Sequence, residues 1–447
     1  MRFPCPLMAA ILIAACHEVP LAPAALPARL SATEAWSGGT VDLTSTAFAP
    51  PESLPAVFLG ATQVFVRRVN DTTVTATLPT ATGSFDVRVI QGHSTTDAGT
   101  VTLRGFRDTY QGPLFSGSPY WYVRDGPPIL IGEGNTGGAL FHLSSNTVEQ
   151  ILPDTIHSPD CAITVGPTYL ADTWVFNGAD SHGGPACAPP LVRALTPTVH
   201  VVDSVGSVTP PAGEAWIAVA EPGPQRWVFD WNNNMLLEDC SSPSGCVGNW
   251  RGDRNYPSVT LISPHGDRFL LIPAASQAVV YDVARMDTAY LGPPNRSADG
   301  GRFSPDGDTL YLVGHDSAGR AHLEILASTT GALLRDVDLD SLGLPAGSLN
   351  LDVVEDPARP WLYLAMTTRT ESSDRRIYDF SLLVFDRTSW RLIGIAPASA
   401  PFVGDYVGGF GATLVPSPLE HTVYLVGTSL GYGAHGLHAG VWRFDTP

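Results

Sequence analysis

The chain contains no lysine, so all 25 of its basic residues are arginines, and they face 43 acidic residues. The formal net charge is −18, and no basic cluster offsets it locally. Such a surface repels phosphate backbones and anionic lipid headgroups, which argues against a nucleic-acid partner. Long amphipathic helical patterns are missing too, whereas glycine (44) and proline (39) are abundant. This balance predicts a turn-rich, all-β protein.

Long hydrophobic runs are also scarce. The apolar run from Leu7 to Ala15 follows Arg2 and is too short to span a bilayer as a permanent helix, which is the pattern of an export signal. The stretch Ile13-Ala14-Ala15-Cys16 resembles the lipobox of bacterial lipoproteins. In that family the cysteine is lipidated and becomes the mature N-terminus, so the resemblance implies lipidation of Cys16.

An ordinary cleaved signal peptide with an incidental cysteine is the alternative. The small residues at both positions before Cys16 favour lipidation. His17 stands where an aspartate would, in the family, favour retention in an inner membrane. The resemblance therefore implies an anchor in the outer membrane or at the cell surface, with the membrane contacted through the lipid alone. After the signal (1–16), residues 17–29 are rich in proline and alanine and predict a semi-rigid, extended tether.

Residues 30–104 show short alternating strands at close spacing, which is typical of a β-sandwich. The segments Gly38 to Leu43, Val69 to Val74 and Gly83 to Val89 resemble the IPT/TIG family of immunoglobulin-like domains, although Ser45 and Ala47 stand where that family commonly carries glycine. The resemblance implies a spacer or adhesion module without catalytic residues.

Residues 105–447 contain a repeat of about forty residues, each with turn signals such as Ser304-Pro305-Asp306-Gly307 between short apolar runs. A single unit leaves an apolar face that its neighbour must cover, which predicts a closed ring of four-stranded sheets. Seven units can be counted: Tyr120 to Leu152, Cys161 to Val205, Glu214 to Arg254, Tyr256 to Gly292, Gly300 to Leu339, Leu349 to Pro397 and Phe410 to Asp445.

The seventh unit ends after its third strand, so a ring built from it would expose an open strand edge. We therefore predict that Gly105 to Tyr110 supplies the missing outer strand. The repeat and its turns resemble the YVTN and WD classes of seven-bladed β-propellers. The predicted fold is thus all-β, an immunoglobulin-like β-sandwich followed by a seven-bladed β-propeller.

Four cysteines lie beyond the signal: Cys161, Cys187, Cys240 and Cys246. An even number in an exported chain indicates disulfides, and three pairings are possible. Pairing Cys161 with Cys187 and Cys240 with Cys246 closes two short local loops and is the favoured prediction. Zinc binding is the alternative, but neither pair has zinc-knuckle spacing or a nearby histidine.

Candidate chemistry is sparse. His435 and His438 lie in a glycine-rich loop and would form a metal site only if His315 or His421 converged on them, so an ordinary surface loop is favoured. Asp336, Asp338 and Asp340 alternate along a predicted strand, where a solvated face is favoured over calcium binding. Arg251-Gly252-Asp253 is interpreted as a polar turn rather than an adhesion motif.

No nucleophile elbow, phosphate-binding glycine loop or paired carboxylates can be singled out, so no cofactor is predicted. The leading hypothesis is a non-catalytic, lipid-anchored envelope protein whose propeller binds a protein, peptide or glycan. The rival is a propeller lactonase, hydrolase or lyase, which predicts a cluster of His, Arg and carboxylate side chains at one mouth of the channel. A purely structural or assembly role is the third hypothesis.

Overall fold

A computed structural model describes residues 28–48, 54–112, 121–122, 129–134, 137–150, 162–170, 173–179, 193–195, 201–204, 216–220, 227–230, 235–239, 247–252, 257–263, 265, 267–273, 277–282, 285, 287–342, 348–371, 375–405, 410–429 and 438–447. These residues fall into two compact units. The first draws on segments of Met1–Thr33, Val41–Thr77 and Ser84–Val101, and the second on Glu34–Thr40, Leu78–Gly83 and Thr102–Pro447. The predicted domain boundary at 104/105 stays a prediction.

The first nine strands are β1 (Arg29–Leu30), β2 (Glu34–Trp36), β3 (Thr40–Thr44), β4 (Ala56–Leu59), β5 (Thr62–Val64), β6 (Val66–Asn70), β7 (Thr73–Thr77), β8 (Gly83–Gln91) and β9 (Ser94–Arg104). In the first unit, one sheet has the order β1-β3-β7-β6 and a second the order β9-β8-β4-β5. Alternate residues such as Val41 and Leu43 are buried, which confirms the period of two predicted for a sandwich. The IPT/TIG relationship itself stays a prediction.

In the described residues the second unit adds β10 (Phe106–Gly112) and 28 further strands, of which all but β35 form seven four-stranded sheets together with β10. We number these sheets as blades 1 to 7. Blade 1 consists of β11 (Trp121–Tyr122), β12 (Ile129–Gly134), β13 (Gly137–His142) and β14 (Thr147–Gln150). Blade 2 consists of β15 (Ala162–Leu170), β16 (Thr173–Ala179), β17 (Arg193–Leu195) and β18 (Val201–Ser204). Blade 3 consists of β19 (Trp216–Ala220), β20 (Trp227–Asp230), β21 (Met235–Asp239) and β22 (Val247–Gly252).

Blades 4 to 7 carry most of the side chains discussed below. They are β23 (Pro257–Ile262), β24 (Arg268–Pro273), β25 (Val279–Asp282), β26 (Asp287–Leu291); β27 (Arg296–Phe303), β28 (Thr309–Asp316), β29 (Ala321–Ala327), β30 (Leu333–Asp338); β31 (Ser348–Glu355), β32 (Trp361–Glu371), β33 (Arg375–Asp386), β34 (Arg391–Pro397); and β36 (Phe410–Ser417), β37 (Thr422–Ser429), β38 (His438–Asp445). A short strand, β35 (Phe402–Asp405), pairs with the extended start of β33.

The seven blades close into a ring. The first strands of blades 2 to 7 contact one another in succession, and blade 1 contacts blade 2. Blade 7 returns to blade 1, because Val415, Tyr424 and Val441 pack against Phe141 and Leu143. The second unit is therefore a seven-bladed β-propeller, as predicted.

The closing strand comes from the beginning of the propeller sequence. Strand β10 pairs antiparallel with β38, so blade 7 has the order β10-β38-β37-β36. This confirms the prediction for Gly105 to Tyr110. We call the pairing of β10 with β38 the clasp, and it covers the strand edge beside Trp442. Arg443 secures it: its guanidinium lies 3.0 Å from Asp108 Oδ1 and donates to the Leu143 carbonyl in blade 1 at 2.8 Å.

The outer edge of blade 6 is covered by the segment Glu34–Thr40. The Ile395 amide donates to the Ser37 carbonyl at 2.9 Å. Trp36 is buried and meets Trp361 and Tyr363 edge-on, with ring centroids 5.7 and 6.1 Å away. The second unit therefore includes a segment that precedes β3 in the sequence.

Candidate functional site

Most sequence-predicted site residues lie outside the described part of the chain. This holds for Cys16, Cys161, Cys187, Cys240, Cys246 and His435, while His438 is the first residue of β38 and its side chain is not described. Lipidation and both disulfides stay predictions. His315 Nδ1 lies 2.7 Å from Asp299 Oδ2, and His421 Nδ1 lies 2.9 Å from Arg359 Nη2. Among the described residues, no three His, Cys, Asp or Glu side chains are grouped to hold a metal ion.

Two local predictions need correction. Strand β30 ends at Asp338 and a 3-10 helix begins at Asp340, so the three aspartates do not share one strand; buried Leu339 anchors the change of direction. Arg251 and Gly252 are the last residues of β22 and pair with Leu236 and Met235 rather than forming a turn. Asp253 lies outside the described residues.

A cluster of charged side chains lies on the face of blade 5 that packs towards blade 4. Arg296 contributes its Nη2 to Asp336 Oδ2 at 2.8 Å and its Nε to Glu324 Oε1 at 3.2 Å. His322 Nδ1 lies 2.8 Å from Asp336 Oδ1, and its Nε2 is 3.6 Å from Asp316. We call these five residues the blade-5 ion network. Alternation along the four strands β27 to β30 brings them together, and Glu324 is directly opposite Asp336.

Burial dominates the electrostatics of this network. Glu324 is 6% exposed, and desolvation raises its pKa from 4.5 to about 7, although Arg296 opposes the shift; Asp336 adds to it. Asp316 behaves in the opposite way, since the backbone amide of Arg320 holds its carboxyl pKa below the usual range. The residue types suit acid–base chemistry, but Glu324 and His322 are enclosed and already paired.

A groove of about 460 Å³ lies between blades 5 and 6, on the opposite face of the blade 5 sheet. Its volume falls within the roughly 300–1,000 Å³ of ligand pockets. Its lining residues come from β28, β29 and β30 of blade 5 and from two turns of blade 6: Thr309, Tyr311, Ile325, Leu334, Arg335, Pro360, Arg387, Thr388 and Trp390. We call it the 5/6 groove.

The inner end of the 5/6 groove is fixed by a buried polar chain. Tyr311 donates its hydroxyl to Glu355 Oε1, and Glu355 Oε2 lies 2.5 Å from Arg387 Nη1. Burial and the neighbouring Glu355 carboxylate raise the pKa of Tyr311, so its hydroxyl remains a donor. The Nε of Arg387 has no hydrogen-bond partner within the described chain.

The outer end of the groove is open. The Arg335 guanidinium lies 5.8 Å from the centroid of the Trp390 ring, within cation–π range. Arg335 is exposed and, in the described part of the protein, has no carboxylate partner. Leu333 and Leu334 beside it are 53% and 61% exposed. This end therefore combines a free positive charge, an aromatic face and apolar surface.

Sequence reasoning missed both Arg335 and Trp390. Three blades share a turn in which a backbone amide donates to the carbonyl four residues earlier: Asn146 to His142, Gly331 to Ala327 and Trp390 to Asp386. Comparing the residue at this position across the blades is the sequence signal that could have identified Trp390. All three donors have left-handed backbone, with φ of 56°, 69° and 56°. Asparagine and glycine suit that conformation, whereas a bulky residue is an outlier.

Within the described residues, no helix has the length and apolar character needed to cross a membrane. No family model and no curated protein matches the chain.

Several solved structures are similar to the chain. A Kuenenia stuttgartiensis hydrazine synthase chain is 14% identical with a TM-score of 0.37, over 58% of this chain and 73% of that one. A chain of a mitotic checkpoint complex is 10% identical with a TM-score of 0.47, over 76% and 92%. The Cps50 (Swd1) β-propeller domain of Myceliophteria thermophila is 12% identical with a TM-score of 0.45, over 76% and 99%.

Proposed function

We propose that this protein is a lipid-anchored binding or scaffolding protein of the bacterial outer membrane or cell surface, and that its propeller docks a protein partner without catalysis. The observation that carries the proposal is the open 5/6 groove, which presents Arg335, Trp390 and exposed Leu334 together. Aromatic and arginine side chains are the residues that most often dominate binding energy at protein interfaces.

The blade-5 ion network gives less support to a catalytic role. A catalytic acid or base must come within hydrogen-bond reach of its substrate. Glu324 and His322 are 6% and 5% exposed. Glu324 is already paired with Arg296, and His322 is already paired with Asp336. Charge pairs of this kind hold strands of one blade together.

The envelope location rests on the sequence. Cys16 follows a short apolar run and two small residues, and a proline-rich tether separates it from the first folded segment. One acyl chain binds a membrane only marginally, whereas several chains anchor it firmly. Replacing Cys16 with serine should abolish incorporation of labelled fatty acid and release the protein from the membrane fraction. Unchanged labelling of the variant would contradict the anchor.

Docking at the groove can be tested in intact cells with a photo-cross-linking amino acid. We expect a cross-linker at Leu334 to capture a discrete protein partner. The matched control is Leu419, which is 75% exposed in a 3-10 helix of blade 7 and lies outside the groove. Equal capture at both positions, or none at Leu334, would count against docking. Turnover of a sugar or lactone by the purified protein would favour the catalytic rival.

A further inference from the structure

We infer that the 5/6 groove recognises an acidic linear peptide carrying an apolar anchor side chain. This assignment rests on the proposed binding function and specifies the chemistry of the partner. Three features of the described residues support it: the charge of the groove, the backbone conformation of Trp390 and the position of the groove beside a strand edge.

Two arginines, Arg387 and Arg335, line the groove of this strongly acidic protein. Arg387 forms an ion pair with Glu355, and its charge also interacts with the Asp306 carboxylate. Arg335 has no such partner in the described chain and points its charge over the Trp390 ring. The open end of the groove is thus positive on a surface of net charge −18. A carboxylate beside Arg335 would form a charge-assisted hydrogen bond and complete its pairing.

Trp390 has a left-handed backbone at the mouth of the groove. The same turn carries Asn146 in blade 1 and Gly331 in blade 5, where left-handed φ is easily tolerated. Blade 6 places the largest side chain at this position, with φ of 56°. Backbone strain of this kind is concentrated at binding and catalytic sites. In this conformation the indole ring of Trp390 faces Arg335 at the mouth of the groove.

The groove lies beside a strand edge that belongs to β30. This is the outer strand of blade 5, and in the described sheet it pairs with β29 alone. An extended peptide can add its backbone to such an edge while alternate side chains enter an adjacent pocket. Leu334 and Ile325 offer apolar contact for an anchor side chain, and Arg335 lies directly opposite Ile325 across the two strands. An apolar side chain next to a carboxylate therefore fits the groove.

These features favour a peptide over an anionic glycan. A glycan has no backbone amides to pair with a strand edge and no apolar side chain for the space beside Leu334, whereas a peptide has both.

The test is affinity selection with the full-length protein in detergent micelles and a random dodecapeptide library displayed on phage. We expect enriched sequences to place Asp or Glu next to Phe, Leu or Trp. Synthetic peptides of those sequences are then measured by fluorescence anisotropy, together with copies in which Asn or Gln replaces each carboxylate. We expect the amide copies to bind at least about tenfold more weakly, which is about 1.4 kcal/mol.

Three variants connect the selected peptides to the groove. Arg335→Ala and Trp390→Gly should each weaken binding at least about tenfold, because each removes one side of the open end. Arg391→Ala is the matched control, since Arg391 is exposed at the start of β34 and does not line the groove. Trp390→Gly introduces the residue preferred for this turn but removes a ring that packs against the core between blades 5 and 6, so its binding is measured at a temperature at which circular dichroism shows the variant to be folded.

Four results would overturn the inference. They are selection of sequences without acidic residues, no selection at all, equal binding by the Arg335→Ala variant, and tighter Trp390-dependent binding of oligogalacturonate, which would assign the groove to an anionic glycan. If any of these occurs while the cross-linker at Leu334 still captures a protein, docking stands and only the peptide chemistry is wrong. If Leu334 captures nothing, the proposed function itself fails.

Discussion

Replacing Glu324 with glutamine should stabilise the protein at pH 8 and have little effect at pH 5. Glu324 is buried in the blade-5 ion network, and burial raises its pKa from the ordinary 4.5 to about 7. The folded protein therefore retains a proton between these two values that the unfolded chain has released. Because the folded pKa is the higher one, the contribution of Glu324 to stability is largest below pH 4.5 and is lost as the pH rises towards 7.

The magnitude follows from the two pKa values. One pKa unit corresponds to about 1.4 kcal/mol, so the interval between 4.5 and about 7 corresponds to roughly 3 kcal/mol. Glutamine keeps the shape of the side chain and carries no charge at any pH. Arg296 keeps Asp336 as a partner at 2.8 Å, so the substitution does not leave its guanidinium without a carboxylate. The glutamine variant should therefore exceed wild type by up to roughly 3 kcal/mol at pH 8.

Equilibrium urea unfolding between pH 5 and 8, followed by tryptophan fluorescence, measures this difference. The matched control is Asp308→Asn, an exposed carboxylate in the same blade. We expect the Glu324→Gln curve to diverge steadily from wild type as the pH rises, while the Asp308→Asn curve runs parallel to it. A glutamine variant less stable than wild type at pH 8 would refute the reasoning, because it would mean that the ionised pair with Arg296 outweighs its desolvation.

Three further substitutions test the ring and its cover. Arg443→Met should lower the free energy of unfolding by about 3 kcal/mol, because the Leu143 carbonyl and the Asp108 carboxylate both lose the guanidinium that donates to them. Calorimetry of the melting transition measures this loss. Trp442→Ala should cost about 3–5 kcal/mol because the ring is fully buried, and should expose the clasp to limited proteolysis. Gly39→Ala should cost more than Gly92→Ala in urea unfolding. At position 39 the new methyl group would lie 2.1 Å from a backbone oxygen, whereas at position 92 it meets nothing within 4 Å and costs only the roughly 1–2 kcal/mol of a left-handed backbone.

The repeat could be predicted because it depends on local turn signals. The turn at Ser304 to Gly307 combines proline with a glycine at φ 75°, and its Gly307 amide bonds back to the Ser304 carbonyl. The clasp followed from counting strands in the last unit. By contrast, the predicted strand through Asp340 was wrong because alternation of charge was extended past the point where Leu339 enters the core.

The two sites of blade 5 could not be predicted from single stretches of sequence. The blade-5 ion network joins Arg296, Glu324 and Asp336 from three strands, and only the cross-strand register makes them neighbours. The 5/6 groove requires a second blade, so its residues span from Thr309 to Trp390. Comparison of equivalent turns was the one sequence signal available for Trp390, and it needed the repeat to be aligned strand by strand.

The pleat of one strand explains how a closed charged network and an open groove coexist in blade 5. Side chains alternate between the faces of a sheet, so Arg335 and Asp336 are adjacent in sequence but lie on opposite faces. Asp336 joins Arg296 and His322 on the side packed towards blade 4, whereas Arg335 lines the groove towards blade 6. Loss of binding in Arg335→Ala and pH-dependent stabilisation in Glu324→Gln therefore have separate structural causes, because the two sites lie on opposite faces of one sheet.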